Sequence, residues 1–502
     1  MKDKYILAID QSTSGSKCLI IDSLGKIIYK LSKSHEQIYP KAGWVEHNPL
    51  EIYENVKELV KRILSDNNIK EEDLLGLAIT NQRETVVVWD KTTGKPIYNA
   101  IVWQCRRTTE ICNSLKEYSD VVTEKTGLRL DPYFSATKVK WILDNVEGAK
   151  CKAEKGELLL GTIDSFLIWK LTGGNVHATD YTNASRTLLF NIRELSWDDT
   201  LLKIFSIPKS MIPEIYPSDE IFGYTTFDNT LKFPIKICGV IGDSQGALFG
   251  QCCFKKGMAK STFGTGNSIM VNVGDNYIKS NNGVVSTIAS ISKSNGINYG
   301  IEGIINSSGD TINWIKNELG LFNDYMQFNE AVEEIKNNEG VYLVPAFIGL
   351  GIPYWNADAR ASIVGMSRSS NKKHIMRASL ESIAYQVKDA LEVMKNEASI
   401  EIESLSIDGG VTVNSIYNQF LADILDMKIE KNMNEELSAL GAAYLCGLGL
   451  GLWSSVDTLI ELSNNKKSYQ SKMDDERREN LYRGWLNAVK SVLYITNLNK
   501  EK

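Results

Sequence analysis

Cys238–Gly250, with the sequence CGVIGDSQGALFG, is the stretch on which the interpretation of this chain depends. A short apolar run, Ile237–Ile241, ends at Gly242 and is followed directly by Asp243. A buried strand that ends in a carboxylate beside glycines can hold a general base in a fixed place, while the glycines let a substrate approach the backbone. The same pattern also fits an aspartate that only caps the following turn. This stretch alone leaves both interpretations open.

The composition is typical of a globular enzyme with more than one domain. The chain has 502 residues, of which 43% are apolar and 24% charged, and this length predicts two large domains. The net charge of −6 argues against nucleic-acid or anionic membrane surfaces as partners, because these require a dense basic face. We expect neither a signal peptide nor a membrane span, since no window approaches roughly 18 apolar residues. The 8 cysteines have no even spacing, so we expect a cytoplasmic protein with reduced thiols.

Both halves of the chain contain an apolar strand that ends near an aspartate and a polar turn. Tyr5–Ile9 ends at Asp10, and Gln11–Lys17 then forms the turn of a hairpin whose N–H and hydroxyl groups could hold phosphate oxygens. The turn lacks the spacing of a Walker A loop, and a solvated hairpin without a ligand would fit it as well. In the second half, Ile235–Ile241 precedes Asp243 in the same way.

Two further turns of the second half are rich in glycine. Thr265 stands between two glycines in a hairpin, where its backbone N–H groups are free to bind phosphate. Leu405–Ile407 ends in Asp408-Gly409-Gly410, a turn from a strand into a helix. This repeated pattern predicts an α/β chain with the two-domain, actin-like ATPase (ribonuclease-H-like) fold, in which ATP and substrate bind in the cleft between the domains. We expect the domains to be residues 1–247 and 248–502.

Apolar residues at helical spacing predict the main helices of the chain. These helices are Asn48–Leu64, Ser135–Asn145, Glu381–Lys395 and Ser438–Leu448. Thr182–Ile192 is compatible with either a helix or a strand, and the polar tail after Trp453 is predicted to be helical.

A candidate ligand clamp follows the apolar strand Leu74–Thr80. Arg83 and Glu84 place a forked donor beside an acceptor, which suits a small polyhydroxy ligand because each hydroxyl both donates and accepts. Adjacent residues of opposite charge can also be a surface pair. Trp103 and Tyr133 follow other predicted turns, and aromatic residues of this kind are more often part of the core.

Six segments, spread over nearly the whole chain, resemble the glycerol kinases of the FGGY carbohydrate-kinase family. They are ITNQRET (Ile79–Thr85), IVWQCRRT (Ile101–Thr108), DPYFSATKVKWILDN (Asp131–Asn145), DYTNASRTLLFNI (Asp180–Ile192), PAFIGLGIPYWNADARA (Pro345–Ala361) and ALGAAYLCGL (Ala439–Leu448). Tyr133–Asn145 and Ala361–Glu381 also fit the two general signatures of the family. One such match would be weak evidence, whereas six in the same order are strong evidence.

The resemblance implies ATP-dependent phosphorylation of glycerol to sn-glycerol 3-phosphate, with Mg²⁺ as cofactor. Asp243 would be the general base that takes the proton from the attacking hydroxyl, and Asp10 and Asp243 would hold Mg²⁺. The substrate-binding positions would be Arg83, Glu84, Trp103, Tyr133, Asp243, Ser244 and Ser268. The ATP-binding positions would be Thr13, Ser14, Lys17, Thr265, Gly266, Gly309, Asn313, Gly410 and Asn414. A homodimer or homotetramer is usual in this family.

The chain departs from the family pattern at the predicted polyol pocket and at the phosphate turn. Glycerol kinases typically have Gln where Ser244 stands and Phe where Ser268 stands, so the wall of the pocket would be less apolar here. The alternative to glycerol is therefore a longer polyol or ketose, such as a tetritol, pentitol or pentulose, unless neighbouring residues refill the space. Lys17 stands where Arg is usual and offers the phosphate a point charge rather than a fork. Ser12 stands where Gly is usual.

Two further questions concern the regulation of the protein and the alternative that it is not an enzyme. Residues 224–234 contain no histidine, so the phosphorylation switch of some bacterial glycerol kinases should be absent, and the loop that others use for fructose bisphosphate is also missing. An actin-like chaperone or filament protein would have the same fold but no use for the pair Arg83-Glu84 beside Tyr133. We therefore expect an enzyme rather than an assembly protein.

Overall fold

Two large β-sheets, each covered by helices, form the framework of the computed structural model. The structure describes residues 4–67, 69–279 and 283–500. The first sheet has six strands, in the order Ile221–Thr225, Ile235–Gly242, Leu74–Asn81, Tyr5–Gln11, Gly15–Ile21 and Ile27–Ser34. The second has seven, in the order Val285–Ser292, Gly296–Ile305, Asn267–Gly274, Met258–Phe263, Ser404–Gly409, Lys428–Asn432 and Lys466–Tyr469.

The two sheets share one topology. In the first, Tyr5–Gln11 pairs antiparallel with the hairpin strand after it and parallel with Leu74–Asn81. In the second, Met258–Phe263 pairs antiparallel with Asn267–Gly274 and parallel with Ser404–Gly409. A run of antiparallel strands, three in the first half and four in the second, is thus followed by parallel pairing in each half, and the predicted α/β fold is confirmed.

The remaining strands form smaller sheets. A four-stranded sheet has the order Glu46–His47, Ala100–Ile101, Val86–Asp90 and Leu158–Thr162. Three two-stranded sheets pair Phe190–Asn191 with Ser196–Trp197, Glu214–Tyr216 with Ala178–Asp180, and Tyr342–Val344 with Ser362–Val364.

Most helices of the first half are shorter than those of the second, although Pro49–Asp66 has 18 residues. The α-helices up to residue 250 are Pro49–Asp66, Thr109–Ser114, Ser119–Thr126, Ser135–Asn145, Ala149–Glu154, Ile163–Leu171, Tyr181–Ala184, Asp199–Ile204 and Asp243–Gly250. The later ones are Gly309–Asn317, Tyr325–Glu334, Lys372–Ala398, Ser415–Leu425, Leu437–Gly449, Val456–Leu462 and Asp475–Lys500. Short 3₁₀ turns lie at Glu71–Asp73, Lys116–Tyr118, Lys209–Met211 and Gly410–Val413. Among the described residues, none of the helices combines the length and apolar character needed to cross a lipid bilayer.

Helix Leu437–Gly449 belongs to the second half of the chain but packs on the first sheet. It contacts the strands Tyr5–Gln11, Leu74–Asn81 and Ile235–Gly242, and it lies against helix Asp243–Gly250. Small residues allow this approach, since a Cβ at Gly250 would lie 2.2 Å from the carbonyl oxygen of Leu437. The helix that begins with Asp243 is therefore held in place by backbone-to-backbone contact.

Candidate active site

Three parallel strands of the first sheet end together and deliver the central residues of the site. Gln11 and Gly242 both pair with Asn81, so the carboxyl ends of Tyr5–Gln11, Leu74–Asn81 and Ile235–Gly242 are level. Asp10 lies at the end of one strand, Arg83 two residues beyond another, and Asp243 directly after the third. The side chains predicted for metal, polyol and base therefore meet at one edge of the sheet.

Asp243 is the first residue of its helix and is partly open to solvent. Its side chain is 37% exposed, and its Oδ1 lies 3.2 Å from Nε of Arg83. The same oxygen accepts a hydrogen bond of 2.6 Å from the backbone N–H of Ser244. An accessible carboxylate held by one guanidinium and one backbone donor is well placed to receive a proton from a bound hydroxyl.

Arg83 and Glu84 lie in a buried network of charges. Glu84 has a φ of 62°, a left-handed conformation that is uncommon outside glycine. Its Oε1 accepts a hydrogen bond of 2.5 Å from Nε of Arg186. Burial raises the pKa of Glu84, and the positive charge of Arg186 opposes this rise.

Four residues of this network were not predicted from the sequence: Gln245, Lys260, Arg186 and Glu302. Glu302 accepts hydrogen bonds of 2.7 and 3.2 Å from Nη2 and Nη1 of Arg83, and it forms an ion pair of 3.0 Å with Nη1 of Arg186. Burial alone would raise the pKa of Glu302, but the guanidiniums of Arg83 and Arg186 outweigh burial and hold it well below its usual range. Burial lowers the pKa of Lys260.

Two aromatic rings form one wall beside this network. The ring centroids of Trp103 and Tyr133 are 5.4 Å apart with an interplanar angle of 60°. Nε1 of Trp103 donates a hydrogen bond of 2.9 Å to Oγ1 of Thr13. The predicted polyol wall is thereby connected to the predicted phosphate turn.

The phosphate turn presents Ser14 to solvent and holds Asp10 in a buried position. Burial raises the pKa of Asp10 to about 7, Lys17 opposes this, and the charge of Asp243 adds to the rise. A buried carboxylate that also senses a second carboxylate favours a bound cation, and Mg²⁺ typically takes one or two carboxylates together with phosphate oxygens. The residues present therefore fit a magnesium ion. Nζ of Lys17 lies 3.9 Å from Asp10 and 2.5 Å from Oε2 of Glu436.

A cavity of about 460 Å³ lies in the second half of the chain. Its walls include five of the six predicted ATP positions in this half, namely Thr265, Gly309, Asn313, Gly410 and Asn414. Gly266 does not line the cavity, but a Cβ there would lie 2.6 Å from the carbonyl oxygen of Ile305, so this turn needs glycine for close packing. Apolar side chains complete the walls: Phe263, Ile312, Phe328, Leu380, Val411 and Val413.

The two serines that depart from the family pattern have different surroundings. Oγ of Ser268 donates a hydrogen bond of 3.0 Å to Oε1 of Glu302 and lies 3.4 Å from Nζ of Lys260. Within the part of the chain that the structure describes, the hydroxyl of Ser244 makes no hydrogen bond, although its backbone N–H bonds to Asp243. Only Ser244 thus offers a free hydroxyl beside the candidate base.

Comparison with known proteins identifies relatives over the whole chain. The model of the N-terminal domain of the FGGY family of carbohydrate kinases matches residues 5–250, and that of the C-terminal domain matches residues 259–450. The chain is 48% identical to a glycerol kinase of Bacillus cytotoxicus over 98% of this chain and 99% of that one. It is 49% identical to a glycerol kinase of Caldanaerobacter subterraneus subsp. tengcongensis with the same coverage.

Solved structures give the same picture of the fold. The crystal structure of Plasmodium falciparum glycerol kinase with ADP has a TM-score of 0.92 and 38% identity, and the match covers 98% of each chain. A gluconate kinase from Lactobacillus acidophilus has a TM-score of 0.87 over 99% of this chain and 98% of that one. Its identity is only 22%, so this second likeness concerns the fold alone.

Proposed function

The chain belongs to the FGGY family of carbohydrate kinases, and we propose that it transfers the γ-phosphoryl group of ATP to glycerol, forming sn-glycerol 3-phosphate. The observation that carries this proposal is the meeting of Asp243, Arg83 and Asp10 at adjacent strand ends. Identity of 48–49% to glycerol kinases over nearly the whole chain supports glycerol rather than a longer polyol or ketose. The bond between Ser268 and Glu302 agrees with this choice, because that hydroxyl is not free to bind an extra substrate hydroxyl.

In the proposed reaction, Asp243 takes the proton of the attacking glycerol hydroxyl as its oxygen bonds to the γ-phosphorus. The bond from that phosphorus to the bridging oxygen breaks, and ADP leaves. Arg83 donates to one of the other glycerol hydroxyls through Nη2, and Glu84 accepts from a glycerol hydroxyl through Oε2, since its Oε1 is bonded to Arg186. The rings of Trp103 and Tyr133 cover the carbon chain of the polyol. Such a reaction asks little covalent chemistry of the protein, so the rate depends on positioning.

The proposed nucleotide site joins the phosphate turn of the first half to the cavity of the second. Thr13, Ser14 and Lys17 contact the phosphates, and the cavity residues and Gly266 hold the adenosine and the adjoining phosphate. Lys17 must exchange its partner Glu436 for a phosphate oxygen to do so. Asp10 and Asp243 hold Mg²⁺, whose charge neutralises the triphosphate oxygens when it is bound. We divide the chain into a first domain of residues 1–247 and a second of 248–502, and we propose a homodimer or homotetramer.

An ADP-release assay tests this proposal with glycerol, dihydroxyacetone, erythritol, xylitol and xylulose as acceptors. We expect the highest kcat/KM for glycerol. A higher value for a longer acceptor would reject glycerol as the substrate while leaving the kinase chemistry in place. The variant Asp243→Asn should lose roughly 10²–10⁴-fold in kcat, which is the usual contribution of a general base. Asp199→Asn is the matched control, because Asp199 is 64% exposed in a surface pair with Lys209 and should keep full activity.

A further inference from the structure

Glu302, a residue of the second half of the chain, contributes a buried negative charge to the proposed polyol site, whose predicted contacts come mainly from the first half. It lies in strand Gly296–Ile305, whereas Arg83 and Arg186, its two cationic partners, precede residue 247. Its carboxylate is fully buried, with 0% of the side chain exposed. Ser268, on the neighbouring strand Asn267–Gly274, donates to the same carboxylate at 3.0 Å.

Three hydrogen bonds and one ion pair surround the carboxylate of Glu302. Oε1 accepts from Nη2 of Arg83 at 2.7 Å and from Ser268, while Oε2 accepts from Nη1 of Arg83 at 3.2 Å and lies 3.0 Å from Nη1 of Arg186. A carboxylate has about four lone-pair positions. Three of these positions accept hydrogen bonds, and the carboxylate is fully buried beside Arg186, so we expect any effect of Glu302 on a polyol to act through its partners.

The N–H groups of Arg83 are nearly all engaged as well. A guanidinium side chain has five N–H groups in a rigid plane. Nε lies 3.2 Å from Asp243, Nη1 donates to Gln245 and Glu302, and Nη2 donates once to Glu302. Among the residues that the structure describes, one N–H of Nη2 has no partner, and the bidentate bond to Glu302 fixes the plane in which it points.

Without the charge of Glu302, Arg83 and Arg186 would face each other as buried like charges. Of the two other carboxylates near Arg83, that of Glu84 is bonded to Arg186, whereas that of Asp243 already lies 3.2 Å from Nε of Arg83. We expect the guanidinium of Arg83 to rotate towards Asp243 in that case. Its free N–H would then leave the polyol, and the base would acquire a stronger ion pair.

We propose that Glu302 is the positioning residue of the polyol site, where it fixes the guanidinium of Arg83, and that Ser268 orients Glu302. This inference rests on the proposed function, since it concerns how the same site recognises glycerol. It also assigns a role to the substitution at position 268: the serine hydroxyl is bonded to the carboxylate that aligns the clamp. The influence of Ser268 on polyol binding is therefore indirect.

The test compares KM for glycerol with KM for ATP in wild type and in Glu302→Gln and Ser268→Ala, together with the melting temperature of each. Glutamine keeps the shape but places an amide N–H₂ against a guanidinium. We expect Glu302→Gln to raise KM for glycerol at least tenfold and to leave KM for ATP within twofold. Ser268→Ala removes one of the four contacts of the Glu302 carboxylate and should raise KM for glycerol two- to fivefold.

A third variant keeps the test decisive if Glu302→Gln does not fold. Glu302→Asp retains the charge but is one methylene shorter, so it cannot reach both arginines, and KM for glycerol should again rise at least threefold. KM values for glycerol within twofold of wild type in the folded variants would overturn the proposal. So would parallel rises in both KM values with a matching loss of melting temperature, which indicate a structural role only. The turnover of glycerol by the wild type separately tests the proposed function, and if another acceptor is preferred, the same comparison is made with that acceptor.

Discussion

The close packing of the helix that begins with Asp243 leads to a prediction about the substitution Gly441→Ala. A Cβ at position 441 would lie 1.9 Å from the carbonyl oxygen of Gly246 and 2.9 Å from the backbone nitrogen of Gly250. Non-bonded heavy atoms at rest are about 3.5 Å apart, so the two helices would have to separate by roughly 1.5 Å. Both partners are backbone atoms, so no side chain can rotate to make room.

The separation should affect catalysis more than stability. Asp243 is the first residue of the displaced helix, and its carbonyl oxygen accepts a hydrogen bond of 2.9 Å from the hydroxyl of Ser438 on the other helix. A misplacement of about 1 Å can cost roughly 10²-fold in rate. Overpacking costs about 1–3 kcal/mol in the free energy of unfolding, and the higher helix propensity of alanine returns up to about 1 kcal/mol of this. We expect Gly441→Ala to fold, with kcat about a hundredfold lower.

The assay is ADP release from glycerol, with thermal unfolding followed by circular dichroism. The matched control is Gly148→Ala, because a Cβ there meets nothing within 4 Å and φ is 71°. This control should lose about 1–2 kcal/mol from the left-handed backbone alone and keep the wild-type kcat. If Gly441→Ala kept kcat within threefold of Gly148→Ala, the position of Asp243 would not depend on this helix contact, and the reasoning would fail.

Two further predictions concern stability away from the site. The guanidinium of Arg107 lies 2.6 Å from Glu46 in a buried ion pair and 3.9 Å above the ring of Trp44. Arg107→Met leaves Glu46 without this partner and should lower the free energy of unfolding by about 3–5 kcal/mol. An unchanged melting temperature would contradict this. Burial lowers the pKa of His177 to about 4, so its neutral form stabilises the fold above pH 6.5, and this contribution is lost as the pH falls towards 4. His177→Gln keeps a donor for the carbonyl oxygen of Leu160, which Nε2 meets at 2.8 Å. Between pH 7 and 5 the wild type should therefore lose about 1–2 kcal/mol more stability than this variant, and parallel pH curves from denaturation would refute the assignment.

The strands that carry the site could be predicted because each is a continuous apolar run that ends in turn residues. Tyr5–Gln11 and Ile235–Gly242 extend only one or two residues beyond their predicted ends. Helix Ser135–Asn145 has the predicted bounds, and helix Pro49–Asp66 begins one residue after its predicted start, Asn48, which caps it. In these places the local sequence was sufficient to predict the element and its bounds to within two residues.

Other elements could not be predicted because their signals are weak or depend on tertiary contacts. Lys466–Tyr469 is an edge strand of four residues within the tail that was predicted to be helical, and that prediction was wrong there. Helix Lys372–Ala398 begins nine residues before the predicted Glu381. Its capping box uses His374 rather than the usual Glu or Gln. Thr182–Ile192, left open between helix and strand, contains the end of the short helix Tyr181–Ala184 and the whole two-residue strand Phe190–Asn191.

In the candidate site, too, some residues could be predicted from the local sequence and others could not. Arg83 and Asp243 follow strand ends, where the sequence marks them clearly. Glu302 lies inside an apolar strand, INYGIEGII, and its charge there was a signal that could have been used, since a buried charge requires a partner. Its partner Arg186 is more than a hundred residues away, and no local pattern connects the two.

Charge balance explains why the polyol site needs both halves of the chain. Four of the predicted polyol contacts come from the first half: Arg83, Glu84, Trp103 and Tyr133. Taken alone, they suggest that this half could bind the polyol without the second. To the buried ion-pair network around these contacts, however, that half contributes two guanidiniums, Arg83 and Arg186, and one carboxylate, Glu84. Burying an unpaired charge is expensive, and the partly exposed Asp243 must remain available as the base. The carboxylate of Glu302 restores the balance from the second half, so the polyol clamp is assembled only where the two halves meet.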